Sequence, residues 1–290
     1  MNRAKASHIL ITLLLGLGAI VTLFPFYQTL VLSFSTILDA KSGSVLLFPK
    51  TLDFSAYRFI FMQGKITHAL MISIVVTVLG TCVSMIVTAA GAYALSKSSM
   101  PGRNFIFTGV ILTMFFSGGL IPYYLTIQGL HLQNNLLVMI LPAAVNSFNL
   151  ILMKNFFGTI SPALEESAKI DGANDLRILV QIVVPVSLPI IATITLFYAV
   201  DRWNEWWLPM LFISDTGLQP LQLVLRDAIT NLSQVISNTT GAQLAAGVQN
   251  VYMESAKAAM IIISAVPIFM IYPFIQKYFN AGIMIGSVKG

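Results

Sequence analysis

Residues 161–177 read SPALEESAKIDGANDLR, and they carry six of the 27 charged side chains (16 basic, 11 acidic) in a chain of 290 residues. Leu, Ile, Val, Phe and Met dominate on both sides. That contrast decides the fold class. With 57% hydrophobic and 9% charged residues and a mean hydropathy of +0.84, the chain falls well outside soluble composition, where about a quarter of residues are charged. It reads as an integral membrane protein with one polar island.

Crossing the hydrocarbon takes roughly 20 apolar residues as a helix. Six uncharged windows meet that length, at about 9–35, 69–95, 105–130, 135–153, 178–200 and 258–276. The expectation is an all-α, polytopic protein, with residues 1–290 forming a single transmembrane domain of six helices. Alternation of period two is absent, which argues against a barrel. The start, MNRAKASHILITLLLGLGAIVTLF, has the basic head of a signal peptide. Its uncharged run continues past Pro25 to Ser35 without a small-x-small cleavage site, so a retained first span is expected.

Lys and Arg near span ends set orientation. Arg3, Lys5, Lys97, Arg103, Lys154, Lys169, Arg177, Lys277 and Lys289 share one side if six spans are present, and the opposite short loop at 131–134 has no Lys or Arg. Both termini and a loop at 158–177 are therefore placed in the cytoplasm. Long loops at 36–68 and 201–257 fall outside it. The basic excess needs no nucleic acid to explain it. Cys82 is the sole cysteine, and His8, His68 and His131 are scattered, so neither an intrachain disulfide nor a metal site is expected.

No phosphate-binding GxxxxGK[ST] run occurs, and no nucleophile–base set can be assembled. The window cores contain no Asp, Glu, Lys or Arg, whereas ion-driven transporters keep ionisable groups there. The chain is not expected to be an enzyme, and energy for uphill transport would come from a partner.

The island has its own local logic. Ser161 and Pro162 suit an N-cap and first helical turn. Glu165 and Glu166 suit the positive end of the helix dipole. Gly172 supplies a left-handed stop, and Asn174 can cap a second helix running from Asp175 toward Pro185. A helix of about ten residues is marginal alone in water. The residues fit either a docking helix for a partner groove or an ordinary loop with a helical turn.

The run EESAKIDGANDLRILVQIVVP resembles the EAA loop of binding-protein-dependent ABC importer permeases, a motif written E-A-A-x-x-x-G-x9-I-x-L-P. Glu166, Ala168, Gly172, Ile182 and Pro185 match at that spacing, with Ser167 replacing the first Ala and Val184 the Leu. The stretches around FSGGLIPYYL and PLQLVLRDAI, the run FYAVDRWNEWWLPMLFI and the terminal GSVKG are similar to the carbohydrate branch of that family, in its maltose-type second permeases. The first two look most like permeases assigned to complex polysaccharides and their oligosaccharides.

The resemblance implies a type I importer fold in a bacterial cell membrane. It further implies a second permease, usually a different one, two ATPase subunits and an extracytoplasmic solute-binding protein. ATP and its Mg would be held by the ATPase, leaving this chain without a cofactor of its own. Glu165, Glu166, Ser167, Ala168, Asp171, Gly172 and Ala173 become coupling residues, and the tail Val288, Lys289 and Gly290 becomes an ATPase contact. The island converts ATPase closure into alternating access.

For the sugar itself, DRWNEWWLP at 201–209 contains all three tryptophans. Trp203, Asn204, Glu205 and Trp206 are candidates for an outer gate or sugar-contacting rim, against the plainer reading of an interfacial belt. Asn146 and Asn149, with Ser147, are polar at membrane depth and suit either a cavity or helix–helix hydrogen bonds. Tyr123 is a further candidate, or an interface anchor. The EAA spacing alone leaves a non-sugar ABC cargo open, and the apolar spans alone leave a self-sufficient channel open.

Overall fold

The computed structural model describes residues 2–36, 47–48, 51–62, 64–238 and 254–271, and among these there are helices and no strand. In chain order the helices begin with α1 (Asn2–Ser33), α2 (Ser55–Met62), α3 (Lys65–Ser96) and α4 (Arg103–Phe115). They continue with α5 (Leu120–Gly129), α6 (Ser147–Phe157), α7 (Pro162–Ile170) and α8 (Asp175–Val186). The last are α9 (Leu188–Trp203), α10 (Trp207–Phe212), α11 (Leu221–Asn238) and α12 (Glu254–Ile271). The tail at Val288–Gly290 lies outside the described residues.

Three helices, α1, α3 and α12, are each long and apolar enough to cross a membrane. The pairs α4/α5 and α8/α9 add two more crossings if each bent pair is one span, with bends of 119° and 91°. Windows 105–130 and 178–200 are thus broken, for reasons visible in the residues. Gly119 adopts φ 83°, ψ 174°, a backbone state open essentially to glycine, and it starts α5 at a new angle. In the second pair Pro185 and Pro189 each remove a helix donor. The chain responds with a π-turn over Leu179–Val183 and a cap at Ser187.

Window 135–153 is not a continuous helix. It holds a 3-10 turn at Leu136–Met139, an irregular run, and then α6. Pro142 cannot donate, and the Asn135 and Asn146 side chains each cap a new start, accepting from Leu137 N (2.9 Å) and Asn149 N (3.1 Å). The long loops are also more helical than expected. Segment 36–68 contains α2 and the start of α3, while 201–257 contains the end of α9, α10, α11 and the start of α12.

The described residues divide into two units, one drawn from within 1–67 and 224–267 and the other from within 68–223 and 268–271. In the first, Phe34 stacks on Tyr57 (5.0 Å) and meets Phe54 edge-on, and the Tyr57 hydroxyl donates to Ser33 Oγ (2.9 Å). The α1 side chains from 8 to 26 are exposed, an apolar surface suited to lipid.

In the second unit α3 is the central rod. Near its C-terminal end Ala92, Tyr93 and Leu95 join Met153 and Phe157 of α6, Ile178 and Val183 of α8, and Ile194 of α9 in one buried cluster. Further toward its start, Val76 joins Ile127, Val138, Met139, Leu208 and Phe212 in another. Small residues permit the close approach on which helices rely in a bilayer, where apolar burial gives little drive. A Cβ at Gly91 would lie 3.1 Å from Leu150 of α6.

Candidate functional site

Two regions of this second unit gather polar chemistry. The first is the island. Pro162 opens α7, with Ser161 at the N-cap position, although its side chain makes no capping hydrogen bond. At the other end Gly172 has φ +80°, Gly172 N donates to Lys169 O (3.0 Å) and Ala173 N donates to Ala168 O (2.9 Å). This double bond pattern is a Schellman stop, and it needs the left-handed residue that Gly172 supplies. Asn174 then caps α8 by accepting from Arg177 N (2.8 Å).

The helix has an inner and an outer side. Ala168 and Ala173 pack against the α3/α6/α8 cluster. Glu165, only 14% exposed at its side chain, pairs with Lys97 at the end of α3, and the Lys97 ammonium sits 4.1 Å above the Tyr93 ring. Glu166, Ser167, Asp171 and Gly172 face outward, together with the apolar Leu164, Ile170 and Leu176. Ile170 is 86% exposed, far more than an aliphatic side chain needs to be on an ordinary loop.

The second region is a cavity of about 510 Å³ between the 143–146 segment and the end of α9. At its base lies Arg202, 6% exposed. Its guanidinium donates to the carbonyls of Met139, Ile140 (3.2 Å) and Ala143 and to Ser84 Oγ (3.1 Å). Those carbonyls belong to the break in window 135–153, where no helix is present to satisfy them. Buried irregular backbone requires such a donor, and the planar fork of arginine serves several at once. Gly80 makes room for it, since a Cβ there would stand 3.1 Å from Arg202 Nε. Beside it the Tyr198 hydroxyl bonds Thr88 Oγ1 (2.7 Å) and accepts from Asn146 N (3.0 Å).

The cavity wall is completed by Asp201, Asn204, Glu205, Trp206 and Trp207. Glu205 Oε1 accepts from Trp207 N (2.7 Å) and Leu208 N (3.0 Å), which holds the start of α10. Trp206 and Trp207 meet edge to face at 5.7 Å. Asn204 Nδ2 donates to Val200 O (2.9 Å).

The comparison with known proteins separates the sugar reading from its rivals. No family model matches the sequence. Over 273 residues, 94% of each chain, it is 42% identical to the polygalacturonan/rhamnogalacturonan transport system permease protein YtcP of Bacillus subtilis. It is 41% identical over its full length, and 98% of the other chain, to protein LplC of the same organism. Among solved structures, the crystal structure of a bacterial ABC transporter involved in the import of the acidic polysaccharide alginate matches with a TM-score of 0.86. That match has 35% identity and covers 96% of this chain and 98% of that one. The chain belongs to the permeases of carbohydrate ABC importers. It is a multi-pass membrane protein, a transport component and not an enzyme.

Within this permease the candidates chosen from sequence fall into distinct places. Asn146, Asn204, Glu205 and Trp206 come together on the cavity. Trp203 does not: it is buried, 6% exposed, behind the wall. Asn149 is buried at 3% and also off the cavity, while Tyr123 lines a smaller one beside Ser117 and Thr126. Arg202 stands two residues past the 178–200 window, and the structure carries it in α9, where it is buried. A hydropathy window ends at an arginine and so misplaces one that is buried. The available signal was Pro142 between two capping asparagines, a break whose carbonyls require a donor from elsewhere.

Proposed function

We propose that this permease crosses the membrane six times with both termini and the island on the cytoplasmic side, and that α7 and α8 dock on a separate ATPase subunit. ATP and Mg are held by two such ATPase subunits. A second, different permease completes the pathway, and an extracytoplasmic binding protein delivers the cargo. The cargo is an oligosaccharide from a complex polysaccharide, in line with the names of the relatives, and it passes the cavity at Asn146, Asn204, Glu205 and Trp206.

The observation that carries this reading is the two-sided island. Its inner side is fixed by Ala168, Ala173 and the Glu165–Lys97 pair. Its outer side presents Glu166, Leu164 and Ile170. A helix held on one side and presenting apolar and acidic side chains together on the other transmits a push as a rigid body, and it suits a groove on a partner. A ligand shifts a two-state equilibrium only by differential affinity, so the ATPase must grip this outer side differently in its open and closed forms. In this reading Glu165, Ala168 and Ala173 serve coupling by anchoring α7, and Glu166, Ser167, Asp171 and Gly172 by facing the ATPase.

The test is purification from native membranes in mild detergent through an N-terminal tag. The wild type is expected to bring an ATPase and a second permease, and the Glu166→Lys, Gly172→Val double variant to lose the ATPase while still inserting. A wild-type chain that emerges alone and folded would defeat the importer reading in favour of a self-sufficient channel.

A further inference from the structure

The cavity has a sign of charge, and that sign bears on which sugars it admits. Three side chains of charged type line it: Asp201, Arg202 and Glu205. Arg202 is withdrawn from any ligand, since it is 6% exposed and its terminal nitrogens are occupied by three backbone carbonyls and Ser84. The carbonyl oxygens also turn their negative ends toward it. Glu205 spends one oxygen on Trp207 N and Leu208 N and keeps the other. Asp201 is exposed, and its carboxylate has no hydrogen-bond partner among the described residues. A solute therefore meets acceptor oxygen and aromatic surface, with no accessible cationic donor on the wall.

We propose that Asp201 is a specificity-determining residue that makes this cavity select uncharged saccharide units over uronate units. The proposal rests on the sugar-import reading. A carboxylate is acceptor-only and takes two donors at once, which matches a pair of neighbouring sugar hydroxyls. Such charge-assisted bonds are stronger than neutral ones. Trp206 and Trp207 offer ring area for the apolar face of a pyranose. A uronate brings a second carboxylate into the same space, where like charges repel and no exposed Lys or Arg of the wall can compensate. The same wall sets this permease apart from relatives named for polygalacturonan/rhamnogalacturonan and for the acidic polysaccharide alginate, and it suits an oligosaccharide whose units in the cavity are neutral.

The experiment uses the assembled importer with its own ATPase, second permease and binding protein in proteoliposomes. Two probes differ mainly at carbon six: galactotriose and trigalacturonate. Uptake of each is measured for wild type, Asp201→Asn and Asp201→Lys, with the same binding protein throughout, so that changes in the ratio report the permease. Wild type is expected to favour galactotriose at least about tenfold. Asp201→Asn should reduce that preference at least about fivefold by gaining trigalacturonate uptake, and Asp201→Lys should reverse it. A ratio indifferent to both substitutions would overturn the inference alone. A complex that hydrolyses ATP but takes up neither probe nor any other saccharide would overturn the sugar-import reading, and the inference with it.

Discussion

The island and the cavity both interrupt a helix, and they solve the resulting problem in opposite ways. At the island the orphaned groups are met locally. Gly172 turns the chain, the Ala168 and Lys169 carbonyls accept from Ala173 and Gly172, and Asn174 caps α8. Exposure to water takes care of the rest. At 139–143 no local device suffices, and the donor comes from Arg202, about sixty residues away in sequence. One break is forgiving because its groups are exposed; the other depends on a single buried side chain. Roughly 20 Å of α3 separates them, counting from Lys97 to Ser84 at about 1.5 Å per residue.

The difference can be broken most severely at Arg202. Arg202→Ala leaves three carbonyls and Ser84 without their donor, and each polar group left buried and unsatisfied costs about 1–3 kcal/mol. We expect loss of monodisperse protein in detergent, or a strongly lowered melting temperature. Arg202→Lys should fail nearly as badly, because an ammonium on a flexible stem cannot reproduce the fork. Wild-type stability in either variant would show that the 139–143 break is satisfied in another way.

Gly172→Val should cost about 1–2 kcal/mol from the left-handed backbone alone. An added Cβ meets nothing within 4 Å. The effect is expected to stay within the island: normal insertion, an almost unchanged global melting temperature, and reduced ATPase recovery. Unchanged transport by this variant would remove the turn from the coupling account.

Thr88→Val keeps shape while deleting the bond to the Tyr198 hydroxyl, for about 1 kcal/mol. Thr88 is fully buried and does not line the cavity. A small fall in stability with saccharide affinity preserved is expected, and a large loss of affinity would mean that Tyr198 sets the cavity through this bond.

The smallest effect belongs to the Lys97–Glu165 pair. It is partly exposed, at 25% and 14% of side-chain area, so it contributes about 0.5–1 kcal/mol. Lys97→Glu or Glu165→Lys alone should lower transport per ATP hydrolysed, and the exchanged double variant should restore it. Absence of rescue would reduce the pair to local packing.

Legibility in the sequence varied with the range of the interactions. The membrane class followed from composition. The island followed from neighbours along the chain: Pro162, Gly172 and Asn174 each act within a few positions, so their pattern announced the turn and the second helix. The breaks near Gly119 and Pro185 were present in the letters too, but hydropathy averages over them. The role of Arg202 was hidden because it depends on residues 139–143 lying beside α9, which is tertiary information. Trp203 and Trp206 looked equivalent for the same reason. The chain leaves α9 after Trp203, which stays buried as its last residue, while Trp206 in the turn before α10 stands on the wall.

The crowding of every tryptophan into positions 203–207 gives the permease an optical reporter of its own. Trp203 is shielded, while Trp206 and Trp207 are 38% and 44% exposed at the cavity side. In the purified chain all indole emission therefore originates within a few residues of the proposed sugar path. An aqueous quencher should extinguish the exposed pair and spare the buried one. If the proposed transport cycle opens and closes this cavity, the quenchable fraction will change with it, and the movement can be followed by light without attaching any label.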